Sequence, residues 1–305
     1  MSDRNELALI DWIRLKAKHA VGLQVGIGDD AAVWQVGGKS LLLTTDMLME
    51  NVDFLLSEAP ASLIGRKAMA VNLSDIAAMA GKPLVALVAV ALPKGCGFEF
   101  ARELHEGMQA IAEEFDVTII GGDTNAWDQP LVVTVTLLGE ASERGAVTRS
   151  GAKPGDWLFV TGPLGGSIRG KHMSFTPRIR EAIELQKSVN LHAMIDVSDG
   201  LSADLHHILD ESGVGATLVT DSIPITEAAK QMGDSRSPLE HALSDGEDFE
   251  LLFCCSPDDG RKLLSGVCTV PVHLVGEINA EKAARLQWPD GTITSLARFG
   301  WEHSF

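Results

Sequence analysis

Residues 139–156 read GEASERGAVTRSGAKPGD, and this stretch divides the chain. It is polar, carries four glycines and one proline, and shows neither the two-residue alternation of a strand nor helical spacing. Placed near the middle of 305 residues, a length that suggests two cores, it marks the crossing from one domain to the next. The expected domains are therefore 1–145 and 146–305. Upstream, apolar spacing predicts helices over 6–18, 61–80 and 98–115 and strands over 39–46, 84–92, 117–120 and 131–138. The unbroken apolarity of 84–92 predicts a strand buried on both faces. Downstream, strands are expected over 157–161, 193–197, 216–220 and 249–254, with helices after Pro177 and over 201–211 and a hairpin-like tail. Helices and strands alternate without strict period, which predicts two α+β or α/β domains.

Charge narrows the function classes. Forty-two acidic against 25 basic residues give a formal charge of −17, which argues against a partner of nucleic acid or of an anionic membrane. The longest apolar stretch has nine residues between Pro83 and Pro93, short of the ~20 that a membrane span requires. MSDRNELALIDW has no basic start and apolar core of a signal peptide. Cys96, Cys254, Cys255 and Cys268 form no Cys-x-x-Cys pair and read as small hydrophobes, so a reduced, cytoplasmic protein is expected. Thirty glycines, above the usual ~7%, point to several tight backbone loops.

The informative feature is where aspartates interrupt apolar runs: Asp29 and Asp30 in VGIGDDAAV, Asp46 in LLLTTDM, Asp123 in TIIGGDT, and Asp196 and Asp199 in MIDVSDG. Asp75 follows Asn72 by three residues in NLSD, where either the helix continues or Ser74 caps a new one. An Asp beside Gly is by itself a common turn residue. Several carboxylates at strand ends, converging on one cleft, repel one another unless a cation bridges them. Carboxylate and hydroxyl oxygens suit Mg²⁺, which commonly binds through a few carboxylates plus substrate phosphates. Such ions would invert the local field and let an acidic site hold a polyphosphate.

Two Gly-rich segments are poor phosphate cradles. Gly26-Ile-Gly28-Asp-Asp-Ala31 fits the dinucleotide pattern, but its two carboxylates would repel a pyrophosphate. Gly165 to Lys171 fits the spacing of a P-loop, but position 172 is His where a metal-binding hydroxyl is needed.

Taken in order, GIGDDAA, TTDM with Glu50 and Phe54 after it, GRKAMAVNLSDIAAMAG, IIGGDT, TRSGAKPGDWLFVTGPLG, MIDVSDGL, GEDFELLF and the terminal GWEHSF resemble the thiamine-monophosphate kinases. These are related to aminoimidazole ribonucleotide synthetase, selenophosphate synthetase and the hydrogenase-maturation dehydratase. The resemblance implies a homodimer with an N-terminal dimerising domain and a C-terminal α+β domain, and transfer of the γ-phosphoryl of ATP to thiamine monophosphate. It also implies Mg²⁺ on Asp30, Thr44, Thr45, Asp46, Asp75, Asp123, Asp196 and Asp199. By the same resemblance ATP meets Gly122, Asp123, Arg149 and Ser198, and the thiamine side meets Asp53, Glu247 and Trp301. The chain departs from the family at Asn51-Val-Asp53-Phe54, where Gly-Val-His-Phe is usual, so a carboxylate replaces a substrate-contacting His. His172, Arg178 and Arg180 form a basic helix start expected to supply a contact to the acceptor phosphate. The same ATP and Mg²⁺ machinery acting on another phosphorylated or amine-bearing metabolite, or a non-catalytic nucleotide binder, are the alternatives.

Overall fold

Two mixed sheets, one from each half of the chain, carry residues 6–303, which the computed structural model describes. The expected C-terminal motif GWEHSF runs past them, its last two residues lying outside. The first half comprises α1 (Glu6–Lys16), β1 (Leu23–Val25), β2 (Ala32–Val36), β3 (Lys39–Met49), α2 (Ala61–Ala78), β4 (Lys82–Pro93), α3 (Gly97–Glu114), β5 (Thr118–Trp127) and β6 (Val132–Glu140). Its sheet has the order β1-β2-β3-β6-β4-β5, antiparallel except for the parallel pair β4–β5.

Helices α2 and α3 cover one face of this sheet. They cross with backbones nearly touching, because a Cβ on Gly65 would lie 1.9 Å from the Leu104 carbonyl oxygen and one on Gly107 would lie 1.8 Å from that of Ser62. Helix α2 runs unbroken through NLSD, so Ser74 does not start a new helix. Fourteen of its 18 residues are buried, as expected of a helix that is apolar nearly all round. The opposite sheet face is open: Met47 is 59% exposed, Leu87 47% and Ile120 59%. Strand β4 therefore alternates between covered and open faces and is not buried on both, contrary to expectation. Asp46 and Asp123 also sit inside strands and not at their ends. Their ladders continue past the carboxylates, pairing Asp46 with Val135 and Asp123 with Ala89.

The second half contains β7 (Trp157–Val160), α4 (Lys171–Ser174), α5 (Ile179–Ser188), β8 (Leu191–Asp196), α6 (Leu201–Ser212), β9 (Gly215–Val219), α7 (Glu227–Lys230), α8 (Pro238–Ser244), β10 (Leu251–Cys255), α9 (Pro257–Leu264), β11 (His273–Asn279), β12 (Ala284–Gln287) and β13 (Ile293–Ser295). The sheet order is β13-β12-β9-β11-β7-β10-β8, with β12–β9 its parallel pair. Both faces are covered, which explains the unbroken LLFCC. Leu251, Phe253 and Cys255 join the core that includes Ala182 of α5 and Leu263 of α9, while Leu252 and Cys254 join Leu205 of α6 and Leu243 of α8. The first of these cores is continuous with that around α2, so the two halves share packing across the junction. All four cysteines are free thiols. Among the described residues no helix is long and apolar enough to cross a membrane.

Candidate active site

A cleft of about 1280 Å³ opens between the halves, and most of the expected ligands line it: Asp30, Thr44, Thr45, Asp46, Asp75, Asp196, Ser198, Asp199, Arg149 and Trp301. Asp30 comes from the turn between β1 and β2, Asp75 from the last turn of α2, and Asp196 ends β8. Carboxylate oxygens of these three lie within 4.8 Å of one another. Short-range hydrogen bonds hold them: the Thr44 hydroxyl donates to Asp75 and that of Ser74 to Asp196. The Asn72 side-chain oxygen accepts the Asp46 backbone N–H at 3.2 Å.

Crowding of like charge at low solvent access has the expected electrical result. Burial, then the nearby Asp30, pushes Asp196 up to about 7. Burial pushes Asp46 up to about 6, with Asp53 and Asp30 adding to it. Burial, then Asp46 and Asp196, holds Asp75 well above the usual carboxylate range. Arg149 is the cation at this cluster, bonded through Nη2 to Asp30 Oδ1 at 2.5 Å. The other oxygen of Asp30, Oδ2, is buried and has no protein partner. An orphaned buried oxygen beside two further carboxylates and a threonine hydroxyl fits a hard divalent cation in both charge and donor type.

Toward the second half the cleft wall hangs on two consecutive carbonyls. Ser198 accepts the N–H of Glu247 at 2.6 Å, and Asp199 accepts that of Trp301 at 2.9 Å. Sequence positions about 50 and 100 residues downstream are thus brought to one turn, and the Trp301 side chain stays more than half exposed. The turn itself is fixed by Asp204 of α6, whose carboxylate accepts the N–H groups of Asp199 and Gly200 at 3.2 and 3.0 Å.

Asp53 is spent locally, its carboxylate accepting the Met49 N–H at 2.7 Å. The neighbouring Asn51 has φ 72°, a left-handed conformation that Gly or Asn adopts most easily, which accounts for Asn at the family's Gly position. Thr45 faces away from Thr44 and Asp46 along β3, and its hydroxyl donates to the Val135 carbonyl at 3.1 Å.

Asp53 and Glu247 do not line this cleft, and Gly122 and Asp123 lie farther from the cluster along the sheet. Asp46 pairs with Val135, Val135 with Val88, and Val88 with Gly122, which sets Gly122 three strands, or ~14 Å, along the sheet. There the chain passes so near β4 that a Cβ on Gly122 would lie 1.7 Å from the Val88 carbonyl oxygen. Both residues line a separate cavity of about 580 Å³ beside α3, with His105 and Met108.

The basic segment before α5 turns inward. Arg178 forks onto Glu250 at 2.8 and 2.7 Å, Arg180 reaches the Glu114 carbonyl at 3.2 Å, and His172 Nδ1 lies 2.9 Å from the Ser167 carbonyl. These side chains are engaged by the protein itself. The P-loop-like segment is likewise committed, with the N–H groups of Gly165 and Gly166 donating to Asp248 and Asp245, both at 2.7 Å. After Gly26–Ala31 comes β2 where a dinucleotide site needs a helix.

The sequence reading noted Asp29 without giving it a role and passed over Asp204 and Lys67. Asp29 accepts the Arg149 N–H at 3.2 Å and is pushed up to about 7 by burial and by Asp30. Its place beside Asp30 in GIGDD was a visible signal, and the DGLSAD spacing of Asp204 was another. Lys67 looked like any helical lysine.

Residues 28–141 match the family model of the AIR synthase related protein N-terminal domain, and 153–289 match that of its C-terminal domain. A thiamine-monophosphate kinase of Rhodopirellula baltica is 44% identical over 283 residues, 90% of this chain and 89% of that protein. The chain belongs to the thiamine-monophosphate kinase family. Its relative of that name in Bacillus subtilis is 33% identical over 98% of this chain and 99% of its own. The solved structure of AaThiL complexed with AMPPCP and TMP superposes with a TM-score of 0.85 at 29% identity, covering 98% of this chain and 97% of that one. HypE in complex with ATP shares the fold, with a TM-score of 0.72 at 18% identity. Family membership thus agrees with the two-domain α+β architecture and with the motifs gathered around the cleft.

Proposed function

We propose that this chain transfers the γ-phosphoryl of ATP to thiamine monophosphate, giving thiamine diphosphate, with Mg²⁺ held by the cleft carboxylates. The observation that carries the reading is the convergence of Asp30, Asp75 and Asp196, with one buried oxygen of Asp30 left without a partner. Asp46, Thr44 and Asp199 complete the oxygen donors on the same wall. Bound there, Mg²⁺ supplies charge neutralisation for the phosphates and a template that aligns donor and acceptor.

The chain's own groups do the remaining work. Arg149 offers a forked cation to phosphate oxygens, kept in the cleft by Asp30. Ser198 contacts ATP at the cleft through a small side chain that lets it approach the backbone, and Gly122, which its own chain holds away from this cleft, does so from a second copy. Trp301 presents an aromatic face to the cationic thiazolium, and Glu247 lies beside it as a hydrogen-bond acceptor. The acceptor is itself an anionic phosphate oxygen, so no side chain has to remove a proton from a hydroxyl. The Asp53 departure leaves this acceptor reading in place, because its carboxylate is turned onto Met49.

The same reading assigns the open sheet face, with Met47, Leu87 and Ile120, to homodimerisation between N-terminal domains. Asp123 lies on that face, and a second copy placed against it gives Asp123 a route to a metal cluster that its own chain withholds. Domains at 1–145 and 146–305 and a cytoplasmic location complete the proposal. A coupled ADP-release assay tests it: release should require both Mg²⁺ and thiamine monophosphate. ADP release that ignores thiamine monophosphate, or that persists with excess EDTA, overturns the reading.

A further inference from the structure

Helix α2 carries Lys67, whose side chain is 0% exposed, deep in the junction between the halves. Its ammonium donates to the Asp53 carbonyl at 2.7 Å and lies 2.5 Å from Glu247 Oε1. One buried cation thus joins the turn after β3 to the loop before β10. We propose that Lys67 is a positioning residue for the acceptor, which it never touches: it fixes the Glu247 carboxylate and the Asp53 peptide in the wall that receives the heterocyclic end of thiamine monophosphate. The inference rests on the acceptor reading of Glu247 given above.

Three observations support it. The loop that carries Glu247 adopts a costly backbone, with φ 53° at Glu247 and 49° at Phe249. Non-glycine residues persist there only when their surroundings hold them. Its ties include the Ser198 and Val197 carbonyls, which accept the N–H groups of Glu247 and Phe249, the Gly165 N–H on Asp248, the stacking of Phe249 on Phe175 at 3.9 Å, and Lys67. Of these, Lys67 alone grips the Glu247 carboxylate. Second, the pair is asymmetric: Lys67 is sealed, whereas the Glu247 side chain is 33% exposed. The cation holds the carboxylate from behind while leaving part of it exposed. Third, a sealed lysine is a poor stability device, because desolvation offsets most of the attraction and an apolar residue of similar volume is often as stable. Orientation of a partner is a use that fits its placement.

Steady-state kinetics on Lys67→Met, Glu247→Gln and the double variant test the inference, with thermal unfolding followed in parallel. Lys67→Met should raise KM for thiamine monophosphate at least tenfold and leave KM for ATP within twofold. The double variant should be no worse than the poorer single one, since both substitutions remove the same contact. It is also the form in which Lys67→Met leaves no uncompensated carboxylate, so it remains measurable if the single variant unfolds. Equal rises in both KM values, additive effects, a loss of stability with both KM values unchanged, or failure of the single and double variants alike to fold would overturn the assignment. If Glu247→Gln itself leaves the acceptor KM unchanged, the acceptor reading of Glu247 fails. If Glu247→Gln raises it and Lys67→Met does not, only the positioning role fails.

Discussion

Two groups of buried carboxylates in this molecule have opposite surroundings. Around Glu250, Arg178 donates two hydrogen bonds, Lys171 a third at 2.9 Å and Thr161 a fourth at 2.8 Å. Burial pushes Glu250 up, but these donors outweigh it and its pKa ends below the usual value. Around Asp30, Asp75 and Asp196 the nearest charges are mostly of the same sign, and Asp75 and Asp196 end above theirs. Burial alone therefore does not distinguish scaffold from site. The presence or absence of a protein counter-charge does: the compensated group stiffens the second half, and the uncompensated one is left to a cation from solution.

The comparison breaks most sharply on one substitution. Asp75→Asn should lower turnover roughly 10³-fold, equivalent to about 4 kcal/mol of transition-state stabilisation, while the metal-free protein unfolds at the same or a higher temperature. Retained activity at ordinary Mg²⁺ concentrations would mean that this cluster does not hold the metal. At Glu250 the pattern should reverse. Glu250→Gln leaves Arg178 only Glu181 at 3.3 Å and Lys171 only Asp248 at 3.6 Å, and should cost about 3 kcal/mol in urea unfolding, with KM for ATP unchanged. An unfolding midpoint equal to that of the parent would remove the distinction between the two groups.

The smallest effect is the pH dependence in EDTA. Asp46 and Asp196 have folded-state pKa values of about 6 and about 7, above their ordinary 3.8. Between about pH 4 and 7 the folded chain then holds more protons than the unfolded one, so stability falls as pH rises through that window. We expect a loss on the order of 2 kcal/mol from pH 5 to pH 8, which excess Mg²⁺ at pH 8 should reverse. Thermal unfolding at the two pH values decides it; a metal-free protein that gains stability toward pH 8 contradicts the assignment.

Legibility of the sequence followed the range of the interactions. Helices α2 and α3 and strand β4 were readable because apolar spacing is local. Strands β1 and β11 escaped: the first has three residues, and the second is interrupted by Gly276 and Glu277. Motif order brought Asp30, Asp75 and Asp196 onto one candidate list, but their approach to 4.8 Å depends on three elements docking. Arg178 shows the converse failure. A basic helix start looks the same in sequence whether it faces a phosphate or a buried glutamate, and only the fold supplies Glu250, 72 residues on. Asp123 was legible as a motif but not as a position, since strand pairing sets it three strands from its expected company.

The close crossing at Gly65 and Gly107 has a consequence for how the molecule comes apart. It seats α2 deeply enough that Arg66 reaches the Met173 and Phe175 carbonyls, Lys67 reaches Glu247, and Ser74 reaches Asp196, all from one helix of the first half. Pulling the halves apart would strip hydrogen-bond partners from three buried or half-buried polar groups at once. The polar crossing at 139–156 is therefore not expected to be a break in cooperativity: a single unfolding transition for both sheets is the expected outcome, with cleft opening confined to loops around α2.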